Sequence, residues 1–179
     1  MTGSIGTLTV AQLLNSIGSD AVSPGAGSAA AVVLALATGC ARKAAAISLR
    51  HRPAVAFLQE AAQRCEELGL EALTGADEDA RGFATLVAAH DKAESAAQLV
   101  AVGCRIERLA GQLLAIASQL QPLVTTNVAG DLAACEALAR AALAIEQSNI
   151  RDNQRAAAAA PDATAAVVRA KIQGPVRPR

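Results

Sequence analysis

A carboxylate at Asp79, a glycine-rich turn at Gly25-Ala26-Gly27-Ser28 and two amides at Asn149 and Asn153 are the residues whose types and spacing suit chemistry. A carboxylate on a partly buried helix face serves as a general base or as a stabiliser of a developing cation. Asp79, Phe83, Leu86 and His90 share one helical face through offsets of 4, 7 and 11 residues, so Asp79 heads an apolar stripe. Its neighbours Asp77 and Glu78 suit a solvated helix opening. The glycine turn stands directly before a long apolar segment, a junction that cradles anions and ligands. Gly25 and Gly27 permit positive φ and close backbone approach, and Ser28 is placed to cap the first helical turn. The same two glycines suit equally well a helix start shaped for packing. Leu138, Ala142, Ile145, Asn149 and Asp152 follow one seam at alternating offsets of 4 and 3, so an amide continues an apolar stripe. Such an amide either sets helix register or meets a ligand, and Asn153 repeats it one turn on.

Several chemistries are excluded or weakened by context. Gly25 to Ala30 fits G-x-G-x-x-A, but a loop precedes it where the dinucleotide fingerprint requires a buried strand. A Walker loop would need Lys and Ser or Thr after the second glycine. His51 and His90 have no Ser or Cys at triad spacing. Cys40, Cys65, Cys104 and Cys135 are irregularly spaced without a C-x-x-C pair, so they are expected as small core residues rather than metal ligands or disulfides. No metal or cofactor is implied. Lys plus Arg (16) balances Asp plus Glu (16), which argues against a nucleic-acid partner. The apolar run Ala29 to Ala41 is shorter than a membrane span, and no basic leader precedes it. A cytoplasmic protein is expected.

The elements that must position these residues are helical. Hydrophobic residues make up 53% of the 179 residues and aromatic ones 1%, so the interior is filled by Ala, Leu, Val and Ile. Small side chains let helix backbones approach closely, which favours a bundle of long helices. The periodicity predicts a short helix over Leu8–Ile17, a central helix over Ser28–Leu49, and a third from Ala54 to Leu73 entered through Pro53 and broken at Gly75. A fourth opens at Asp77-Glu78-Asp79, a fifth spans Leu99–Leu120, and Asp131 is the expected N-cap of a long helix to Ala159. Pro161-Asp162 is expected to start a short terminal helix. No segment alternates as a strand does, so the fold is all-α. A single domain over residues 1–173 and a flexible tail over 174–179 are expected.

Four motifs in order resemble the family of formiminotetrahydrofolate cyclodeaminase and the bacterial methenyltetrahydrofolate cyclohydrolases. They are Pro24-Gly-Ala-Gly-Ser28-Ala-Ala-Ala, Asp79-Ala80-Arg81-Gly82-Phe83, Asn127 to Asp131, and Asn149-Ile150-Arg151-Asp152-Asn153. The family pattern reads P-G-G-G-S-A-A-A, D-A-x-A-F, S-D and N-V-x-x-N, and the likeness covers residues 10 to 155. Ala26, Gly82 and Gly130 stand where that pattern has glycine, alanine and serine.

The resemblance implies a helical protomer that forms a homodimer and acts on folate one-carbon adducts without metal or redox cofactor. It implies either hydrolysis of 5,10-methenyltetrahydrofolate to 10-formyltetrahydrofolate or cyclisation of formiminotetrahydrofolate with release of ammonia. Hydrolysis is preferred because this chain carries no formiminotransferase segment. By the same resemblance, Gly25, Ala26, Gly27, Ser28, Phe83, Asn127, Asn149 and Asn153 contact substrate, and Arg50 and Arg52 meet the glutamate tail. Asp79 is the carboxylate at the reacting cation and Asp131 the second acidic candidate. A non-folate imine or amidine substrate and a non-catalytic helical dimer are the competing readings.

Overall fold

A computed structural model of the protein describes residues 3–89 and 92–172. His90 and the tail 174–179 lie outside the described residues. After a 3-10 turn at Ile5–Thr7 come α1 (Val10–Ile17), α2 (Ala26–His51), α3 (Ala56–Ala88) and α4 (Ala93–Leu120). A second 3-10 turn at Thr126–Val128 leads into α5 (Ala129–Ile172), and no strand occurs among the described residues. The long helices α2 to α5 alternate in direction, each packing on its chain neighbours, with α5 closing the ring against α2. The fold is the all-α bundle that composition and periodicity predict.

Alanine builds its centre. Ala30, Ala37, Ala41, Ala44 and Ala45 of α2 are fully buried beside Leu34, and Leu58, Leu68, Leu113 and Leu120 fill the space opposite. By length and composition α2 is apolar enough to cross a membrane, with mean hydropathy 1.6. In the bundle its buried stripe is instead covered by α3 and α5. Cys65 and Cys135 belong to this core and burial pushes their thiols up to about 11 and about 12. Cys104 departs from the expected core role, because it lies on the exposed side of α4.

The connections pin the bundle ends. Thr9 and Gln12 form a capping box that starts α1. The Ile5 N–H donates to Asp77 Oδ1 at 2.6 Å, tying the first turn to the middle of α3. At the other end the Thr125 N–H donates to the buried Ser48 Oγ at 3.0 Å, tying the α4–α5 connection to α2.

Element boundaries differ from the sequence reading, most of all in α3 and α5. The third and fourth predicted helices are one, because Gly75 is a contact point rather than a breaker: a Cβ there would stand 3.1 Å from Ile106 Cγ1. Asp77, Glu78 and Asp79 are therefore interior to α3, where each meets a partner outside the helix: Ile5, Arg105 and Ser28 respectively. Helix α3 starts at Ala56 with Val55 as N-cap, so Pro53 precedes its first turn. Helix α5 starts at Ala129 and continues to Ile172 without restarting at Pro161-Asp162. Asp131 thus lies within the first turn, where Lys43 of α2 engages it at 2.9 Å.

Close helix contacts make the glycines unequal. A Cβ at Gly103 of α4 would fall 2.8 Å from Ile150 Cγ1 and 3.2 Å from Glu146 Oε2, whereas one at Gly111 would meet nothing within 4 Å. Gly103→Ala is expected to lose about 1–3 kcal/mol through overpacking. Gly111→Ala is expected to gain about 0.5–1 kcal/mol from helix propensity. Urea unfolding of the two variants checks this, and equal shifts would remove the packing constraint assigned to Gly103.

Candidate functional site

The first turn of α2 has N–H groups with no partner inside the helix, and Gly25, its N-cap, has no side chain to satisfy them. The cap comes from another helix. Asp79 of α3 reaches this end of α2, and its Oδ2 accepts the Ser28 hydroxyl at 2.8 Å. The Ser28 backbone N–H also donates to the Asp79 carboxylate. Ser28 is fully buried. The expected Ser28 cap is thereby reversed: its hydroxyl is taken by Asp79, which itself caps the helix.

Gly27 makes this contact possible. A Cβ at that position would overlap the Asp79 carboxyl group. No described residue, glycine included, has positive φ, and Gly25 is extended at φ −123° and ψ −152°. The turn therefore needs Gly27 for close approach and not for a left-handed conformation.

A cavity of about 240 Å³ opens over this junction. Its walls are the Gly25-Ala26-Gly27 backbone, Asp79 and Phe83 from α3, and Asn149, Asp152 and Asn153 from α5. It combines two carboxylates, two amides and an aromatic face, with Phe83 39% exposed and the outer carboxylate, Asp152, paired with Arg155 at 3.1 Å. That set suits a flat, positively charged group bearing N–H donors.

Behind the cavity lies Glu146, only 1% exposed. Burial is the chief cause that pushes its carboxyl up to about 8, the Asp79 charge is the second, and the nearby Asn149 amide opposes them. Burial likewise raises Asp79 above the usual carboxylate range, while the Ser28 hydroxyl and N–H work against that rise. Glu146 Oε1 and Asn149 Nδ2 are buried without hydrogen-bond partners among the described residues.

Seven of the predicted site residues thus line one cavity: Gly25, Ala26, Gly27, Asp79, Phe83, Asn149 and Asn153. Ser28 stands immediately behind Asp79. The others are placed elsewhere in the chain. Arg50 and Arg52 are exposed at the far end of α2, about 33 Å of helix from Ser28. Asp131 pairs with Lys43 about 27 Å along α5 from Asn149. Asn127 lies in the 3-10 turn before α5, its Oδ1 accepting the Thr125 hydroxyl at 2.5 Å.

Glu146 is the residue that the pattern reading missed. The buried seam of α5 is Cys135, Ala139, Ala142, Glu146 and Ile150, rotated from the predicted Leu138, Ile145 and Asn149 line. Leu138 and Ile145 pack at its half-buried edge. A carboxylate four residues after Ala142 and four before Ile150 was the available signal.

The formiminotransferase-cyclodeaminase family profile matches residues 9–171. The fold is similar to the crystal structure of formiminotetrahydrofolate cyclodeaminase from Thermotoga maritima, with a TM-score of 0.81 and 18% identity. That likeness covers 84% of this chain and 80% of the other. No curated protein sequence matches the chain.

The raised Glu146 carboxyl makes stability depend on pH. In the unfolded chain it ionises above about 4.5, whereas the folded chain keeps its proton to about 8. Between these values the folded state binds more protons, so stability falls as pH rises, by roughly 3 kcal/mol at pH 7. Glu146→Gln is expected to remove this slope, matching wild type at acid pH and melting higher at neutral pH. Asp79, raised in the same direction, leaves a smaller slope in the variant. Thermal melts across the acid-to-neutral range check the difference.

Proposed function

The chain belongs to the formiminotransferase-cyclodeaminase family, and on that premise we propose that it is a folate one-carbon enzyme hydrolysing 5,10-methenyltetrahydrofolate to 10-formyltetrahydrofolate. The observation that carries the reading is the Asp79 carboxylate on the wall of a cavity shared with Phe83, Asn149 and Asn153. The methenyl group is an amidinium-like cation on a flat ring system. Asp79 offsets its charge and takes a proton from the attacking water as the carbon becomes tetrahedral. The ring C–N bond then breaks, the freed ring nitrogen gains a proton, and one proton is released.

The cavity is slightly smaller than the about 300–1,000 Å³ usual for ligand sites, so it houses the ring system and leaves the tail outside. A second cavity of about 360 Å³, lined by Ser23, Ala80 and Arg81, adjoins the same loop and the same turn of α3. Arg81 is the guanidinium this reading assigns to the tail, in preference to Arg50 and Arg52 at the other end of the bundle.

A second reaction has its own support. The solved structure with this fold is described as formiminotetrahydrofolate cyclodeaminase. In that direction N10 attacks the formimino carbon and ammonia leaves, through a tetrahedral carbon at the same place. The reading also includes a cytoplasmic homodimer. Leu36 and Leu70 are 59% and 64% exposed on α2 and α3, and Val10 and Leu14 are exposed on α1, an apolar set suited to a second copy.

Loss of methenyltetrahydrofolate absorbance in the presence of purified protein tests the hydrolysis, and ammonia release from formiminotetrahydrofolate tests the cyclisation. Asp79→Asn is expected to lower the rate at least about 100-fold. Asn149→Ala is expected to lower it less, while Asp131→Asn retains it. No rate with either folate would return the substrate to the wider imine and amidine class, and loss of activity in Asp131→Asn would overturn the site assignment.

The homodimer has a separate test. Sedimentation is expected to show a dimer for wild type and a smaller species for Leu36→Lys with Leu70→Lys. An unchanged sedimentation coefficient would reject this face.

A further inference from the structure

Glu146 has no part in the reaction as drawn, although it is the one charged residue of the described core. Its carboxyl sits in a socket made by the absence of a side chain at Gly103, whose added Cβ would stand 3.2 Å from Oε2. The groups that face it are few. Asp79 approaches from α3 and Glu107 from α4, and both are carboxylates. Glu107 is occupied by Gln147, which donates to it at 3.0 Å. Helix α2 contributes the neutral Ser28 at this level. From α5 itself comes the Asn149 amide. No cation is among these neighbours, so the buried Glu146 and the half-buried Asp79 cannot both ionise cheaply.

The two carboxyls are unequal in what supports their charge. Asp79 has the Ser28 hydroxyl, the Ser28 N–H and the positive end of the α2 dipole. Glu146 Oε1 has no hydrogen-bond partner and no solvent. A proton shared between them therefore belongs on Glu146. Asn149 spans the wall between Glu146 and the cavity, and its Nδ2 is the other unpartnered buried atom.

We propose that Asp79 and Glu146 work as one carboxyl pair carrying a single proton, with Glu146 holding that proton behind the cavity and so keeping Asp79 the one unneutralised anion presented to a singly charged cation, the Asp152 carboxylate on the same wall being paired with Arg155. Glu146 is a positioning residue that acts through Asp79 and touches no ligand. The pair stands on the burial of Glu146, its unpartnered Oε1 and its place one turn from Asn149, which lines the cavity with Asp79; that its cation is amidinium-like rests on the folate reading above.

Carbon-detected NMR of side-chain carboxyls in the ligand-free protein, titrated from acid to alkaline pH, tests the pair directly. Wild type is expected to show one glutamate carboxyl titrating near 8, absent in Glu146→Gln. In Asp79→Asn that midpoint is expected to fall toward the ordinary glutamate range, because the neighbouring anion is gone. In Glu146→Gln the Asp79 titration is expected to stay in place, since Glu146 is already neutral while Asp79 ionises. A glutamate midpoint in the ordinary range, or one that Asp79→Asn leaves unmoved, overturns the proposal. The wild-type titration needs no substitution to reveal the raised carboxyl, so a poorly folded variant does not shield it.

Activity supplies the second readout. The alkaline limb of the pH profile for methenyltetrahydrofolate hydrolysis is expected to vanish in Glu146→Gln, and a limb that stays put overturns the coupling. A pair seen by NMR in a protein that consumes no folate supports the pair and removes only the folate reading.

Discussion

The carboxylate of Asp79 at the open end of α2 is the contact on which the site depends. A helix N-terminus leaves N–H groups without intrahelical partners and carries a partial positive charge. Gly25 has no side chain to answer either need. Asp79 answers both from α3, and its approach requires that Gly27 have no Cβ. One interaction therefore settles the register of α3 against α2, buries Ser28, and leaves a carboxylate with one side against the helix and the other toward a cavity.

Burying a carboxylate at that point affects its surroundings. The low-polarity interior that strengthens the Ser28 hydrogen bonds also raises the energy of any second charge nearby. Glu146 occupies that second position in a socket opened by Gly103. The bundle thus uses missing side chains twice, once to admit a carboxylate to a helix end and once to seat its neighbour. Alanine along α2 serves the same geometry, because only small side chains let three helices come near enough for their polar groups to meet.

Much of the site was legible before the fold. The glycine turn, Asp79, Phe83, Asn149 and Asn153 could be picked out by residue type and helical spacing, and they meet at one cavity. The reasons attached to some of them were local and did not survive packing. Local spacing has Asp79 open its own helix, whereas it caps a different one. Gly75 suits a breaker because glycine weakens an isolated helix, but Ile106 packs where its side chain would be. Glu146 lies off the apolar stripe that spacing marks on α5, because the buried seam is rotated by about one residue from it. Helical spacing identifies residues that share a face, but only the packed neighbours decide which face is inside.

What the sequence determined by itself was the all-α class, the small-residue core, the main helices and the family likeness, because these depend on composition and on order along one chain segment. What the tertiary structure decided was which of those residues meet. Ser28 and Asp79 are 51 residues apart in sequence, and no local pattern records which turn of α3 faces the end of α2. The same holds for Asp131, Arg50 and Arg52, whose motifs stand in the family's order yet lie a helix length from the cavity within one chain. Helices are rigid rods, so residues on one rod keep their separation, and only the way the rods are packed brings distant positions into a single site.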